Sequence, residues 1–349
     1  MKILNYFADF VLSPATIEDQ KKFCDKILQE KPDHVFLNLA WESFYKFNSN
    51  MLHIDEFLFG QGIPTTWLLS DCVENNPLWK RHLKCSVIFI DFMLWRVYNE
   101  IIVKKTNDIN LKWNPDATRY LFLTGKPYKP QRIGLLYQLS HRRLLDNCDY
   151  SFFMSPGMYE KSKKILPHLS TQEFDNFIQQ HQRNVDGIEP DMQETSMHYG
   201  GIPYDAKIYS NTKFRLISET SLHSKSPFIT EKTYLTIVNK NPFVIAGDYL
   251  ACKKLNGMGI ETFDLLFDIP SYDNIPIYYM RVLHVINHVE QWTAGNFNKN
   301  QVADMVEHNF NKFIELGNNL KENFENSQKI SIDHVCSSGA NHVDMSTRW

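Results

Sequence analysis

Six cysteines in 349 residues, Cys24, Cys72, Cys85, Cys148, Cys252 and Cys336, lie far apart and form no Cys-x-x-Cys pair. That spacing suggests neither a zinc site of paired thiolates nor a small disulfide-stapled scaffold, and it fits a reducing cytoplasm. Net positive charge is also missing: 37 Lys and Arg against 40 Asp and Glu leave −3, so a polyanion would have to be met by a local patch. No apolar run approaches the ~20 residues of a membrane span. Met1 to Leu12 is interrupted by Asn5 and Asp9, and no small-residue cleavage site follows, so no secretory signal is expected. There is no internal repeat and no Asp-x-Asp motif of the kind that holds a metal in metal-dependent sugar transfer.

What is present is the composition of a globular protein, 43% hydrophobic and 22% charged, long enough for two domains each with its own core. Charge is unevenly spread. Residues 1 to 79 carry 11 acidic and six basic residues, whereas Arg96 to Arg143 holds ten Lys or Arg against Glu100, Asp108 and Asp116. Such a positive segment suits a phosphate-bearing ligand.

The amino-terminal part alternates strand-like and helical patterns. Strands are expected at Lys2 to Phe7, His34 to Leu39, Thr65 to Leu69 and Ser86 to Phe92, with a helix at Glu18 to Glu30. This alternation predicts a parallel sheet covered by helices. The polar stretch Lys104 to Asp116, with Pro115 near its end, marks the domain boundary. A second sheet is expected to start at Tyr120 to Thr124, followed by the loop Gly125 to Pro130 and a helix bearing Ile133, Leu136, Tyr137, Ser140 and Leu144 on one face. Tyr150 to Met154 reads as the next strand, and Glu160 to Tyr204 as a polar, partly helical insertion. Val302, Met305, Val306, Phe310, Phe313 and Ile314 predict a long amphipathic helix ahead of a loose tail.

The most informative stretch is Phe214 to Gly247. It reads as a strand ending in Glu219, a loop, a helix opening at Thr230-Glu231-Lys232, and a strand Pro242 to Gly247. In a parallel sheet the end of the first strand and the start of the helix face one crevice at the carboxyl edge, where such folds bind nucleotides. Taken alone, Thr230, Glu231 and Lys232 also make an ordinary capped helix start with an acidic first turn.

In these residues Tyr120 to Gly247 resembles the donor-binding domain of alpha-1,3-fucosyltransferase-like glycosyltransferases of the two-domain GT-B type. Three blocks match in order: Leu121 to Thr124 with Arg132, then Ile217-Ser218-Glu219-Thr220, then Phe228-Ile229-Thr230-Glu231-Lys232 with the strand Pro242 to Gly247. The wording is similar to that of bacteriophage glycosyltransferases. The resemblance implies an α/β, GT-B-like fold of two Rossmann-like domains whose parallel sheets face a central cleft. Its domains would be 1–116 on the acceptor side, 117–300 for the nucleotide-sugar with an insertion at about 160–204, a helix 301–325 and a tail 326–349.

It further implies that Arg132 and Lys232 hold the donor diphosphate, with Lys126, Lys129, Arg142 or Arg143 as alternatives to Arg132. Glu231 would bond the ribose hydroxyls and Glu219 would line the sugar pocket. Phe228 and Thr220 depart from the family's Tyr and Asn, so the donor need not be GDP-fucose. Fixed cations and helix amides stabilise a leaving diphosphate without a metal, so a metal-independent, inverting transfer with no cofactor beyond the nucleotide-sugar is expected. The base would be a carboxylate of the first domain. Asp71 and Glu74 are the candidates, Asp71 first, with Glu42 and Asp91 behind them. Trp41, Trp67, Trp79 and Trp95 are read as core before sugar-stacking groups, and His198 to Gly201 as a turn before a lid. The expected partners are the nucleotide-sugar and an acceptor, with hydroxymethylated pyrimidines in DNA set against a polysaccharide or protein and no membrane; a non-catalytic nucleotide-binding phage protein is the rival reading.

Overall fold

A computed structural model describes residues 2–7, 17–39, 49–70, 82–104, 112–124, 129–152, 154, 156–182, 209–222, 227–264, 272–295 and 297–332. The chain divides into two compact units, one made of 1–95 and 318–349, the other of 96–317. Each carries a four-stranded, all-parallel sheet. The expected α/β plan of two Rossmann-like sheets is what the backbone adopts.

In the first unit β1 (Ile3–Phe7), β2 (His34–Asn38), β3 (Thr65–Ser70) and β4 (Ser86–Ile90) lie in sequence order. Strands added in one direction by right-handed crossovers put their helices on one face. Accordingly α1 (Ile17–Glu30) and α2 (Ser49–Gly60) pack on each other. Helix α1 follows the expected pattern, burying Phe23, Cys24 and Ile27. β3 is buried at all six positions, as a strand covered on both sides must be. Trp67 and Trp95 are core, while Trp41 and Trp79 lie outside the described residues.

The second sheet has the order β6-β5-β7-β8, built from β5 (Tyr120–Thr124), β6 (Cys148–Phe152), β7 (Arg215–Ser218) and β8 (Phe243–Ala246). From β5 the chain moves outward to β6 and then returns past β5 to β7 and β8. The order therefore reverses between β5 and β7, and the connections leaving these neighbours depart toward opposite faces. Two helices open on that reversal: α4 (Pro130–His141) after β5 and α7 (Glu231–Val238) after β7. The polar stretch from Glu160 opens inside one helix, α5 (Pro156–Lys163), and holds a second, α6 (Thr171–His181), started by a Ser170 and Glu173 capping box. Residues 183–208, with His198 to Gly201, lie outside the described ranges.

The units part at 95/96, inside α3 (Phe92–Val97), and not at the boundary expected at 116. The polar stretch belongs to the second unit because Trp113 is buried there, its Nε1 donating to the Lys213 carbonyl at 2.8 Å. A turn of π-helix, Tyr98–Val103, follows α3. After β8 come α8 (Ala251–Gly257) and the 17-residue α9 (Tyr278–Ala294), which packs on β8 and α4.

The expected 301–325 helix is α10 (Lys299–Gln328), and it serves both units in turn. Val302, Val306 and Phe313 fill the second core, and Phe324 meets Phe36 of the first at 6.4 Å. At Gly317 the backbone passes so close to Tyr98 that a Cβ would stand 2.1 Å from the ring. No described helix is long and apolar enough to cross a membrane.

Candidate functional site

The reversal between β5 and β7 is where a doubly wound sheet opens a crevice at its carboxyl edge. On the β7 side the strand ends at Ser218, and Glu219 follows fully buried at 0% exposure. A lone buried carboxylate would be costly, and here three donors surround it. The Thr230 amide gives to Oε1 at 3.1 Å, the Thr233 hydroxyl to Oε1 at 2.6 Å, and the Thr230 hydroxyl to Oε2. Glu219 thereby locks the start of α7, eleven residues on, against the end of β7. The side chain named for the sugar pocket is engaged inside the protein.

Thr230 caps α7, as its position predicts. Its Oγ1 accepts from the Lys232 amide at 3.4 Å and from Lys232 Nζ at 3.2 Å, and Lys232 Nζ also pairs with Glu231 Oε1 at 2.8 Å. Burial by itself would push the Glu231 carboxyl up. The Lys232 charge and hydrogen bond, the residue's own backbone and the nearby Arg96 overcome that and hold it at about 2. Glu231 is therefore ionised throughout the physiological range. Burial lowers Arg96, and Glu231 and Glu100 pull it back up.

Across the crevice α4 starts at Pro130, with Lys129 at its N-cap and no side-chain cap among the described residues. Proline at the first position is pre-set for helix entry. The Lys129 Nζ reaches over to donate to the Thr220 carbonyl at 3.0 Å. This bond joins the first turn after β5 to the first residues after β7. Arg132 lies within the first turn of α4 and is only 4% exposed. Lys129 and Arg132 thus follow β5 and Lys232 follows β7, the two strands that flank the reversal, where helix amino-termini suit an anion.

The other basic candidates go elsewhere. Arg142 donates to Asn287 Oδ1 at 3.0 Å and pairs with Glu290 at 3.1 Å, both on α9. Arg143 is an exposed residue with left-handed backbone at φ 59°. Arg119 holds Asp149 and the carbonyls of Asp146 and Cys148, and Lys104 pairs with Glu100 at 2.7 Å. The stretch that is basic in sequence is not one basic face. Lys126 lies outside the described residues, as do Asp71, Glu74 and Glu42. Asp91 caps α3, accepting from the Leu94 amide at 2.9 Å.

One residue of this edge was not anticipated. Arg281, buried near the start of α9, donates to the carbonyls of Ile275 at 2.6 Å, Pro276 at 3.1 Å, Gly247 at 3.4 Å and Leu222. It ties the loops leaving β7 and β8 to the beginning of α9. Its partners are backbone atoms up to 59 residues away, so no local pattern could have marked it. Among the described residues no group of three or more His, Cys, Asp or Glu side chains could hold a metal ion. A hollow of about 380 Å³ opens at the opposite, amino edge, beside Thr118, Asn147, Lys213, Phe297 and Lys299. There Lys299 pairs with Asp116 at 2.7 Å and Lys213 donates to the Thr293 carbonyl at 3.1 Å.

No family model matches the chain, and no curated protein matches it. Among solved structures it is similar to a Listeria monocytogenes protein assigned as a UDP-N-acetylglucosamine 2-epimerase, at 9% identity over 90% of this chain and 81% of that one, with a TM-score of 0.39. It is also similar to the UDP-GlcNAc 2-epimerase from Neisseria meningitidis bound to UDP-GlcNAc, at 10% identity over 86% and 82%, with a TM-score of 0.33. Likeness of this size carries no argument about ligand or reaction.

Proposed function

We propose that the protein is a glycosyltransferase of GT-B type whose second unit binds a nucleotide-sugar at the β5/β7 reversal. One observation carries the reading: helices follow both of the neighbouring strands at the reversal of a parallel sheet, bearing Arg132 and Lys232 in their first turns, and the Lys129 to Thr220 bond ties the start of the one after β5 to the residues that follow β7. In this reading Arg132, Lys129 and Lys232 face the diphosphate, and the positive end of the α4 dipole adds to them. As the sugar bond breaks, negative charge grows on the leaving diphosphate. Fixed cations lower that barrier without a metal ion. Glu231 faces the ribose and orients Lys232, while Glu219 keeps Thr230 and the helix start in place. An inverting transfer then needs a carboxylate to take the proton of the acceptor hydroxyl, a role proposed for Asp71 or Glu74.

The test is calorimetric titration with UDP and GDP, followed by nucleotide release from a panel of their sugars with and without EDTA. Binding of one diphosphate, weakened in Lys232→Ala, and metal-independent release are expected. Failure to bind any nucleotide, or release strictly dependent on a divalent ion, would remove the reading. Product analysis by NMR separates transfer to an acceptor from isomerisation of the sugar.

A further inference from the structure

The hollow of about 380 Å³ at the amino edge of the second sheet is walled by the approaches to three strands and the ends of two helices. Thr118, Asn147 and Lys213 stand just before β5, β6 and β7, while Phe297 lies between α9 and α10 and Lys299 opens α10. Lys213 is held at three points. Its amide donates to the Arg119 carbonyl at 2.8 Å, its carbonyl accepts from Trp113 Nε1 at 2.8 Å, and its Nζ donates to the Thr293 carbonyl at 3.1 Å. The same ammonium stands 5.6 Å from the centre of the Phe297 ring. Lys299 reaches the hollow from the first turn of α10 and pairs with Asp116 at 2.7 Å, a pair at least half exposed on both sides and so only weakly binding. Burial lowers the Lys213 ammonium below the usual lysine range, and the Lys299 charge lowers it further. Two like charges thus share this wall, with Asp116 as the one acidic residue among the described residues that line it.

We propose that this hollow binds a phosphate dianion, free or as the phosphomonoester of a small polar molecule. An ammonium has three hydrogens to give, and among the described residues Lys213 Nζ and Lys299 Nζ each make one hydrogen bond. A dianion held by both lysines offsets their mutual repulsion, and it can take further bonds from the Thr118 hydroxyl and the Asn147 amide, both on exposed residues of the lining. A carboxylate brings half that charge and leaves one lysine uncompensated. The hollow is larger than a phosphate group alone needs, which leaves room for a polar body beside the Phe297 ring. None of these residues belongs to the crevice between β5 and β7, so the site stands whether or not that crevice takes a nucleotide-sugar.

Calorimetric titration of the full chain at low salt and about pH 7.5, where a phosphomonoester carries close to two charges, compares inorganic phosphate, glucose 6-phosphate and acetate. At least one of the two phosphates should bind, and acetate should not. Inorganic phosphate binding at least as tightly as the ester points to the free ion, and tighter glucose 6-phosphate points to an ester. Lys213→Met should weaken the phosphate about tenfold, the scale of one charge-assisted contact. Lys213→Arg should keep most of it. Lys299→Met should weaken it about fivefold, and because Lys299 is half exposed its substitution leaves the fold intact. Lys232→Ala, at the crevice, should leave it unchanged. The proposal is overturned if neither phosphate binds, if acetate binds as tightly, if either Lys→Met variant binds as the parent does, or if Lys232→Ala abolishes binding, which would put the anion in the crevice.

Discussion

The two sheets use the same device at opposite ends. In the first unit Asp55, fully buried on α2, accepts from Trp67 Nε1 at 2.8 Å and from the amides of Lys84 at 2.6 Å and Cys85 at 3.2 Å, where the chain enters β4. In the second unit Glu219, equally buried, accepts from the amide and hydroxyl of Thr230 and the hydroxyl of Thr233, where the chain leaves β7. Each carboxylate is satisfied by three donors, as burial demands. The difference is what each one holds still. Asp55 fixes how a strand begins, which concerns the core. Glu219 fixes a helix start at the crevice, so in the second sheet stability and ligand binding share one group.

The sharpest way to break this comparison is to remove both carboxylates in turn. Glu219→Ala and Asp55→Ala each strand buried donors, and each should cost about 3 to 4 kcal/mol in urea unfolding. Hydrogen exchange should place the loss in the second sheet for the former and in the first for the latter. Only Glu219→Ala should also abolish nucleotide binding. Equal loss of binding in Asp55→Ala would erase the distinction.

A somewhat smaller effect is expected from pH, confined to the second unit. Burial pushes the His288 imidazole down, Asp264 pulls it back and His284 lowers it further, leaving it at about 4. The unfolded chain takes up a proton near 6.5, so the buried neutral ring contributes stability that is complete above that pH and lost as pH falls through 4. The loss over that window is on the order of 3 kcal/mol. Thermal unfolding from pH 7 to 4 should show a steep slope that His288→Asn flattens. An unchanged slope would exclude His288 as its source.

Next in size, Lys232→Ala should weaken nucleoside diphosphate binding about 30-fold, the worth of one charge-assisted contact. Its stability should change by less than about 1 kcal/mol, because the Glu231 pair is partly exposed. Calorimetry and urea unfolding on the same sample distinguish this from a folding defect. The least effect belongs to Lys129→Met, which removes the bond across the crevice to Thr220 and should weaken binding about threefold. No change in affinity would mean that the bridge does not shape the site.

Elements were legible where burial and pattern agreed. β5 runs from Tyr120 to Thr124 as its apolar run predicts, and Thr230 caps α7 as an N-cap threonine should. Two of the helices that the sequence did not mark, α2 and α9, were hidden for opposite reasons. The buried face of α2 includes Asp55 among Met51, Ile54 and Leu58, so a charge interrupts the apolar stripe. In α9 Arg281 and His288 are buried while Tyr279 and Met280 are exposed, which inverts the usual pattern of a surface helix. At the candidate site the order Arg132, Glu219, Glu231, Lys232 could be read, but Glu219's engagement with Thr230 and Thr233 could not, since those donors lie eleven and 14 residues away.

By itself the amino-acid order settled most of the alternation of strands and helices, because each strand must bury its own apolar run and most helices carry an apolar stripe of helical period. Which strands became neighbours was decided only by the folded chain. The return of the chain from β6 past β5, which puts β7 on the other side of β5, is a long-range pairing, and it is this that makes β5 and β7, each followed by a helix, neighbours at the reversal. Local propensity cannot encode such pairings, since their free energy comes from surfaces that meet only after the backbone has crossed the sheet.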